Sequence, residues 1–104
     1  MTGGITNNLI SKCKSTGIAL STKCTAKEIT NNTIKNCTGT GISIYKKSKV
    51  TKQIANNTIK GGNKNYHGVS VSTSSSVKRK ILKNKITGKY YKQIAVDTTS
   101  SAKY

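Results

Sequence analysis

The sequence predicts an all-β solenoid: a parallel β-helix of about four coils, with three short strands to a coil. Three observations lead there. The octapeptide ITNNTIKN, starting at Ile29, returns as IANNTIKG from Ile54, and more loosely as ITNNLISK from Ile5 and ILKNKITG from Ile81; the leading isoleucines are 24, 25 and 27 residues apart. An asparagine holds the fourth place of every copy, at Asn8, Asn32, Asn57 and Asn84. Between copies lies an apolar pair split by one residue: GIAL at Gly17, GISI at Gly41, GVSV at Gly68 and QIAV at Gln93. Self-similarity at this period means stacked supersecondary units, and apolar residues two apart mean strands. Propeller blades need about 40 residues each, and leucine-rich repeats need a leucine-dominated pattern. No segment carries an i, i+3, i+4 stripe long enough for a helix.

Each repeat then reads in order. A segment such as GISI forms the first strand. Six residues past each apolar pair stands Ala26, Val50, Val77 or Ala102, in a second segment that runs on towards the next leading isoleucine. The third segment is NNTIK or its counterpart. Clusters of Asn, Gly, Ser and Thr separate them and read as turns. In such a coil each residue lies over its counterpart about 4.8 Å away. The four asparagines therefore form a ladder at a bend, with left-handed backbone that asparagine tolerates and side-chain amides that bond from coil to coil. Ile29, Ile34, Ile42, Ile44, Ile54, Ile59 and Val69 are expected to face inward. The third coil is lengthened by GGNKNYH before Val69, and one extra residue enters between Val50 and Ile54 and between Val77 and Ile81.

The string I-x-x-N-x-I followed by G-I-x-L resembles the right-handed parallel β-helix repeat of the pectate-lyase-like superfamily. The copper-maturation periplasmic β-helix proteins carry similar repeats. The resemblance runs from Ile5 to about Ala102. It implies a right-handed coil, with GIAL, GISI and GVSV in a first sheet. The segments ending at Ile29, Ile54 and Ile81 would form a second, and TIK and KIT a third. It also implies that a groove, where the protein is an enzyme, follows the first sheet, and it favours an extracellular or cell-surface setting.

The outward positions on that first sheet are Ala19, Ser43, Ser70 and Ala95, then Ser21, Tyr45, Ser72 and Asp97. Glycoside hydrolases need paired carboxylates, and calcium-dependent lyases need several acidic oxygens. Glu28 and Asp97 are the only acids and fall on different coils. No catalytic residue, metal site or cofactor is assigned, and the acid count argues against an enzyme. Glu28 is expected to make a surface pair with Lys52, worth little. His67 is expected to be a solvent-exposed loop residue. Cys13 and Cys37 share one repeat position. A bridge is within reach, but parallel side chains in a ladder disfavour it, so these two and Cys24 are read as packing residues, with the bridge as the lesser alternative. Their spacings do not match a zinc site.

Lys and Arg total 19 against two acids, a formal net charge of +17. Codon bias towards Lys, Asn and Ile would bring glutamate too, and Glu28 stands alone. Such a field attracts acidic polysaccharide or another polyanion. The densest basic run is Lys78, Arg79, Lys80, Lys83 and Lys85, continued by Lys89 and Lys92 around Tyr90 and Tyr91. Cations interleaved with tyrosine suit a sugar polymer or a nucleic-acid strand, so these nine are the expected polyanion-binding residues. The alternative is a solvated face that blocks edge pairing.

The function expected is a non-catalytic β-helix repeat module binding a polyanion. The alternatives are a fragment of a carbohydrate-active lyase or hydrolase, or a structural spacer. No apolar run approaches the roughly 20 residues of a membrane span, and no secretory signal is visible. The chain is expected to be one repeat domain, residues 1–104, cut from a longer solenoid. Neither end reads as a capping helix, so fraying at residues 1–4 and 98–104, or end-to-end self-association, is expected.

Overall fold

Alternating β-branched residues need two things: strand neighbours for their backbone and a dry side for their side chains. The computed structural model, which describes residues 3–62 and 64–104, supplies both by winding the chain into about four coils. The first coil holds β1 (Ile5–Thr6), β2 (Leu9–Ser11), β3 (Ile18–Ser21) and β4 (Thr25–Ala26). The second holds β5 (Ile29–Thr30), β6 (Thr33–Cys37), β7 (Ile42–Tyr45) and β8 (Lys49–Val50). The third holds β9 (Ile54–Ala55), β10 (Thr58–Gly61), β11 (His67–Val71) and β12 (Ser76–Val77). The fourth holds β13 (Ile81–Leu82), β14 (Lys85–Gly88) and β15 (Lys92–Val96).

Every strand pairs in parallel with its counterpart one coil away. Sheet 1 is β3-β7-β11-β15, and sheet 3 is β2-β6-β10-β14. The side expected to be one second sheet divides into sheet 2a, β4-β8-β12, and sheet 2b, β1-β5-β9-β13. The division falls where the extra residue enters. Val50 and Ile54 are one residue further apart than Ala26 and Ile29, so between the first two coils the ladder cannot run unbroken from Ala26↔Val50 to Ile29↔Ile54.

The interior is a set of aliphatic columns. Ile29, Ile54 and Ile81 stack in register, as do Ile34, Ile59 and Ile86. Ile42, Val69 and Ile94 form another column, beside Ile44, Val71 and Val96. All seven residues expected inside are fully buried. Each such side chain contributes about 1.5–3 kcal/mol by leaving water. A column of small residues lets the wall of sheet 1 close: a Cβ on Gly41 would lie 2.6 Å from the carbonyl of Gly68 and 2.7 Å from Ile59 Cγ2. Gln93 takes the equivalent place in the last coil, and its Nε2 donates to Ile86 O at 3.1 Å.

At the bend between sheets 2b and 3 the asparagine ladder forms. Asn8, Asn32 and Asn57 each donate from Nδ2 to Oδ1 of the next asparagine, at 3.0, 3.0 and 2.8 Å. Their backbone N–H groups donate to the same oxygens. The Nδ2 atoms of Asn32, Asn57 and Asn84 also donate to the carbonyls of Ile5, Ile29 and Ile54, each at 3.0 Å. One detail differs from expectation. The left-handed residue is the one before the ladder: Asn7, Asn31, Asn56 and Lys83, with φ between 54° and 59°. The doubled asparagine divides the work, the first turning the backbone and the second filling the interior.

The cysteine reading is corrected. Cys13 and Cys37 are disulfide-bonded, with Cα atoms 4.5 Å apart, joining the first two coils at the bend from sheet 3 to sheet 1. Each follows a left-handed residue, Lys12 (φ 55°) and Asn36 (φ 56°). The β2–β6 pairing ends at Ser11↔Lys35, and Cys37 pairs with Gly61 only after a bulge, so the two cysteines stand outside the regular ladder between their own coils. Cys24 is exposed rather than packed, and its thiol donates to Ser21 O at 2.8 Å.

Candidate polyanion-binding surface

The bend from sheet 1 to sheet 2a carries a second ladder, which sequence reasoning missed. Two left-handed residues in a row, Thr22–Lys23, Lys46–Lys47 and Thr73–Ser74, turn the chain in the first three coils. A small polar residue follows each pair: Cys24, Ser48 and Ser75, with Ser100 in the fourth coil. The N–H of Cys24 donates to Ser48 Oγ, that of Ser48 to Ser75 Oγ, and that of Ser75 to Ser100 Oγ, each at 3.2 Å. Ser48 Oγ in turn donates to Tyr45 O. The consequence for the surface is that Lys23, Lys46 and Lys47 are exposed on this corner. The ammonium of Lys46 lies 5.6 Å from the centre of the Tyr45 ring.

In the fourth coil Asp97 completes this bend. Its Oδ2 accepts from Thr73 N at 3.0 Å, and its Oδ1 accepts from Thr99 N and Oγ1. These bonds, the Thr73 N–H first among them, lower its pKa to about 2. An ionised carboxylate engaged on both oxygens is a backbone cap, with no proton to give. Glu28, the other acid, sits at the break between sheets 2a and 2b, where its Oε1 accepts from the Thr30 hydroxyl. The two carboxylates lie on different sides of the coil, so no hydrolytic pair is assembled.

On the outer face of sheet 1 the expected columns are in register: Ala19, Ser43, Ser70 and Ala95, with Ser21 beside Tyr45. A shallow groove of about 270 Å³ opens there, lined by His67, Ser70, Ser72, Tyr91, Lys92 and Asp97 among others. His67 is not the exposed loop residue expected. It begins β11, is half-buried, and tilts its ring against Tyr91 at a centroid distance of 5.9 Å. Burial first, and Lys92 second, lower its pKa.

The nine expected binding residues do not gather on one patch. Lys78, Arg79 and Lys80 are exposed between sheets 2a and 2b. Lys83 turns the next bend, and Lys85 stands on sheet 3. Lys89, Tyr91 and Lys92 lie at the corner between sheets 3 and 1 and are exposed. Tyr90 packs against the core, its ring against Gly62, and burial raises its pKa. What joins Lys78 and Arg79 instead comes from other coils. Arg79 N donates to Lys52 O, and Lys52 N to Lys27 O, so Lys27, Lys52 and the Lys78–Lys80 run follow one corner from coil to coil. The signal was legible only through the coil register: these residues are about 25 apart in sequence.

Four parallel sheets wound coil on coil define a parallel β-solenoid. The family described as "Right handed beta helix region" matches residues 2–86, and the chain belongs to that family. Neither the comparison with curated proteins nor that with solved structures finds a match.

Proposed function

We propose that this chain is a non-catalytic β-helix module that binds an acidic polysaccharide or another polyanion through its outward lysines. The observation that carries the reading is the stacking of like charge. Lys35 pairs in register with Lys60, and Lys52 runs beside Lys78 and Arg79. Like charges opposite each other in a sheet are destabilising, and with a net charge of +17 the repulsion adds over the whole coil. A polyanion laid on this surface relieves it. The basic residues of the last part of the chain, Lys78, Arg79, Lys80, Lys83, Lys85, Lys89 and Lys92, take part in this, with Tyr91 as their exposed aromatic neighbour.

The test is titration with labelled polygalacturonate across a salt series. Binding by distributed lysines releases counterions, so affinity falls steeply as salt rises. Absence of binding at low salt removes the reading and leaves a structural spacer. Cleavage of the polymer would instead make the chain part of a carbohydrate-active enzyme.

A further inference from the structure

We infer that the polymer is held on the outer face of sheet 2a, along the helix axis, and that it is an acidic polysaccharide rather than a nucleic acid. The inference rests on the polyanion reading and gives it a place. Each strand of sheet 2a has one residue out and one in. The inward residues are Ala26, Val50 and Val77, all buried. The outward residues are Thr25, Lys49 and Ser76, in register, and Ser101 bridges to Ser76 in the fourth coil. Hydroxyl, ammonium, hydroxyl and hydroxyl thus follow one another at the coil spacing, about 4.8 Å.

Three residues of this column, Lys49, Ser76 and Ser101, line a groove of about 460 Å³ together with Thr51 and Lys78, and the inward-facing Val50 and Val77 lie beneath it. The groove is larger than the one on sheet 1 and has a cation on each of two neighbouring coils. Lys52 and Arg79 follow directly on the chain beyond it, and Lys27 one coil above. Sheet 3 carries Lys35, Lys60 and Lys85, but none of these lines either groove. They add to the field without shaping a site.

The lining also selects the kind of polymer. Single-stranded nucleic acid is held by aromatic platforms under its bases, and no tyrosine lines this groove. Serine and threonine hydroxyls both donate and accept. They suit a chain that presents hydroxyls and carboxylates in alternation, with lysine ammonium groups for the carboxylates.

The test compares two charge-matched variants of the full chain, both at exposed lysines: Lys49→Gln with Lys78→Gln, and Lys35→Gln with Lys60→Gln. Each is titrated with labelled polygalacturonate and with a single-stranded oligothymidylate at one salt concentration. Circular dichroism confirms that both keep the strand signal. Loss of two directed contacts weakens polygalacturonate binding about tenfold in the groove variant, while the sheet 3 variant loses only the factor due to net charge, about two- to threefold. Equal losses overturn the groove and leave the polyanion reading standing. An oligothymidylate affinity above that for polygalacturonate overturns the polysaccharide assignment. No binding of either probe by the parent chain overturns both the groove and the reading it rests on.

Discussion

The asparagine bend and the serine bend solve one problem with different chemistry. Both turn the chain through left-handed residues, and both must give partners to N–H groups that leave the strand ladder. The asparagine rung supplies two donors and an acceptor. Asn57 alone accepts from Asn32 N and Nδ2 while donating to Ile29 O and Asn84 Oδ1. A serine rung supplies one of each: Ser48 accepts from Cys24 N and donates to Tyr45 O. The asparagines at 32 and 57 lie inside the coil, where an unmatched polar group has no water to turn to. Ser48 and Ser75 are buried as deeply, and the first rung of each ladder, Asn8 and Cys24, is exposed. Since the inner rungs of both ladders are equally buried, the difference teaches that a rung tolerates substitution in inverse proportion to the number of bonds it carries, four at Asn57 and two at Ser48.

The comparison breaks most readily at Asn57. Asn57→Ala removes the oxygen that accepts from Asn32 N and Nδ2 and the amide that donates to Ile29 O and Asn84 Oδ1, four bonds at a buried place, and about 3 kcal/mol or more of stability should go. Urea unfolding checks it, and a loss under about 1 kcal/mol would mean that the bend does not depend on its ladder. Ser48→Ala removes two bonds rather than four at an equally buried place, and should cost about 1 kcal/mol. If the two variants were equally damaged, the number of bonds per rung would not be the deciding variable.

How legible each bend was in the sequence follows the same rule. The asparagine ladder could be read at once, because nothing else fits there and the octapeptide repeats around it. The serine ladder was hidden: Cys24 departs from the pattern, and serine is common throughout the chain. The inward isoleucines and the outward column on sheet 1 followed from period two alone. The disulfide did not, because regular pairing was assumed to persist to Cys13 and Cys37, whereas the pairing of their two strands stops at Ser11 and Lys35. The basic corner of Lys27, Lys52 and Lys78 was missed for a different reason. Density along the chain pointed to a run of neighbours, whereas a solenoid brings together residues one coil apart.

A smaller effect sharpens the asparagine side. Lys83 stands where the other coils have Asn7, Asn31 and Asn56, at φ 54°. Left-handed backbone is unfavourable for lysine and easier for asparagine. Lys83→Asn should therefore stabilise the chain by about 0.5 kcal/mol, read as a higher urea midpoint at unchanged slope. No change would mean that the neighbouring coil fixes the bend whatever residue stands there.

On the serine side the smallest effect is acid sensitivity. Asp97 has a pKa lowered from 3.8 to about 2 by its bonds to Thr73, Ser100 and Thr99. A carboxylate with a depressed folded pKa favours the folded state above its unfolded pKa, and that contribution fades as pH falls through the folded value. The amide signal of Thr73 should accordingly shift between about pH 4 and pH 2 and lose protection relative to its intrinsic exchange rate, and Asp97→Asn should abolish this dependence. A Thr73 amide indifferent to acid would contradict the cap.

The most direct measurement is hydrogen exchange of the asparagine side-chain amides, followed by NMR at neutral pH. Asn31 and Asn32 are adjacent, as are Asn56 and Asn57, and in each pair the first is exposed and the second buried in the ladder. The stacked coil predicts slow exchange for the carboxamide protons of Asn32 and Asn57 and fast exchange for those of Asn31 and Asn56. Four side chains exchanging at one rate would mean that the ladder does not form and that the coils are not stacked in this register.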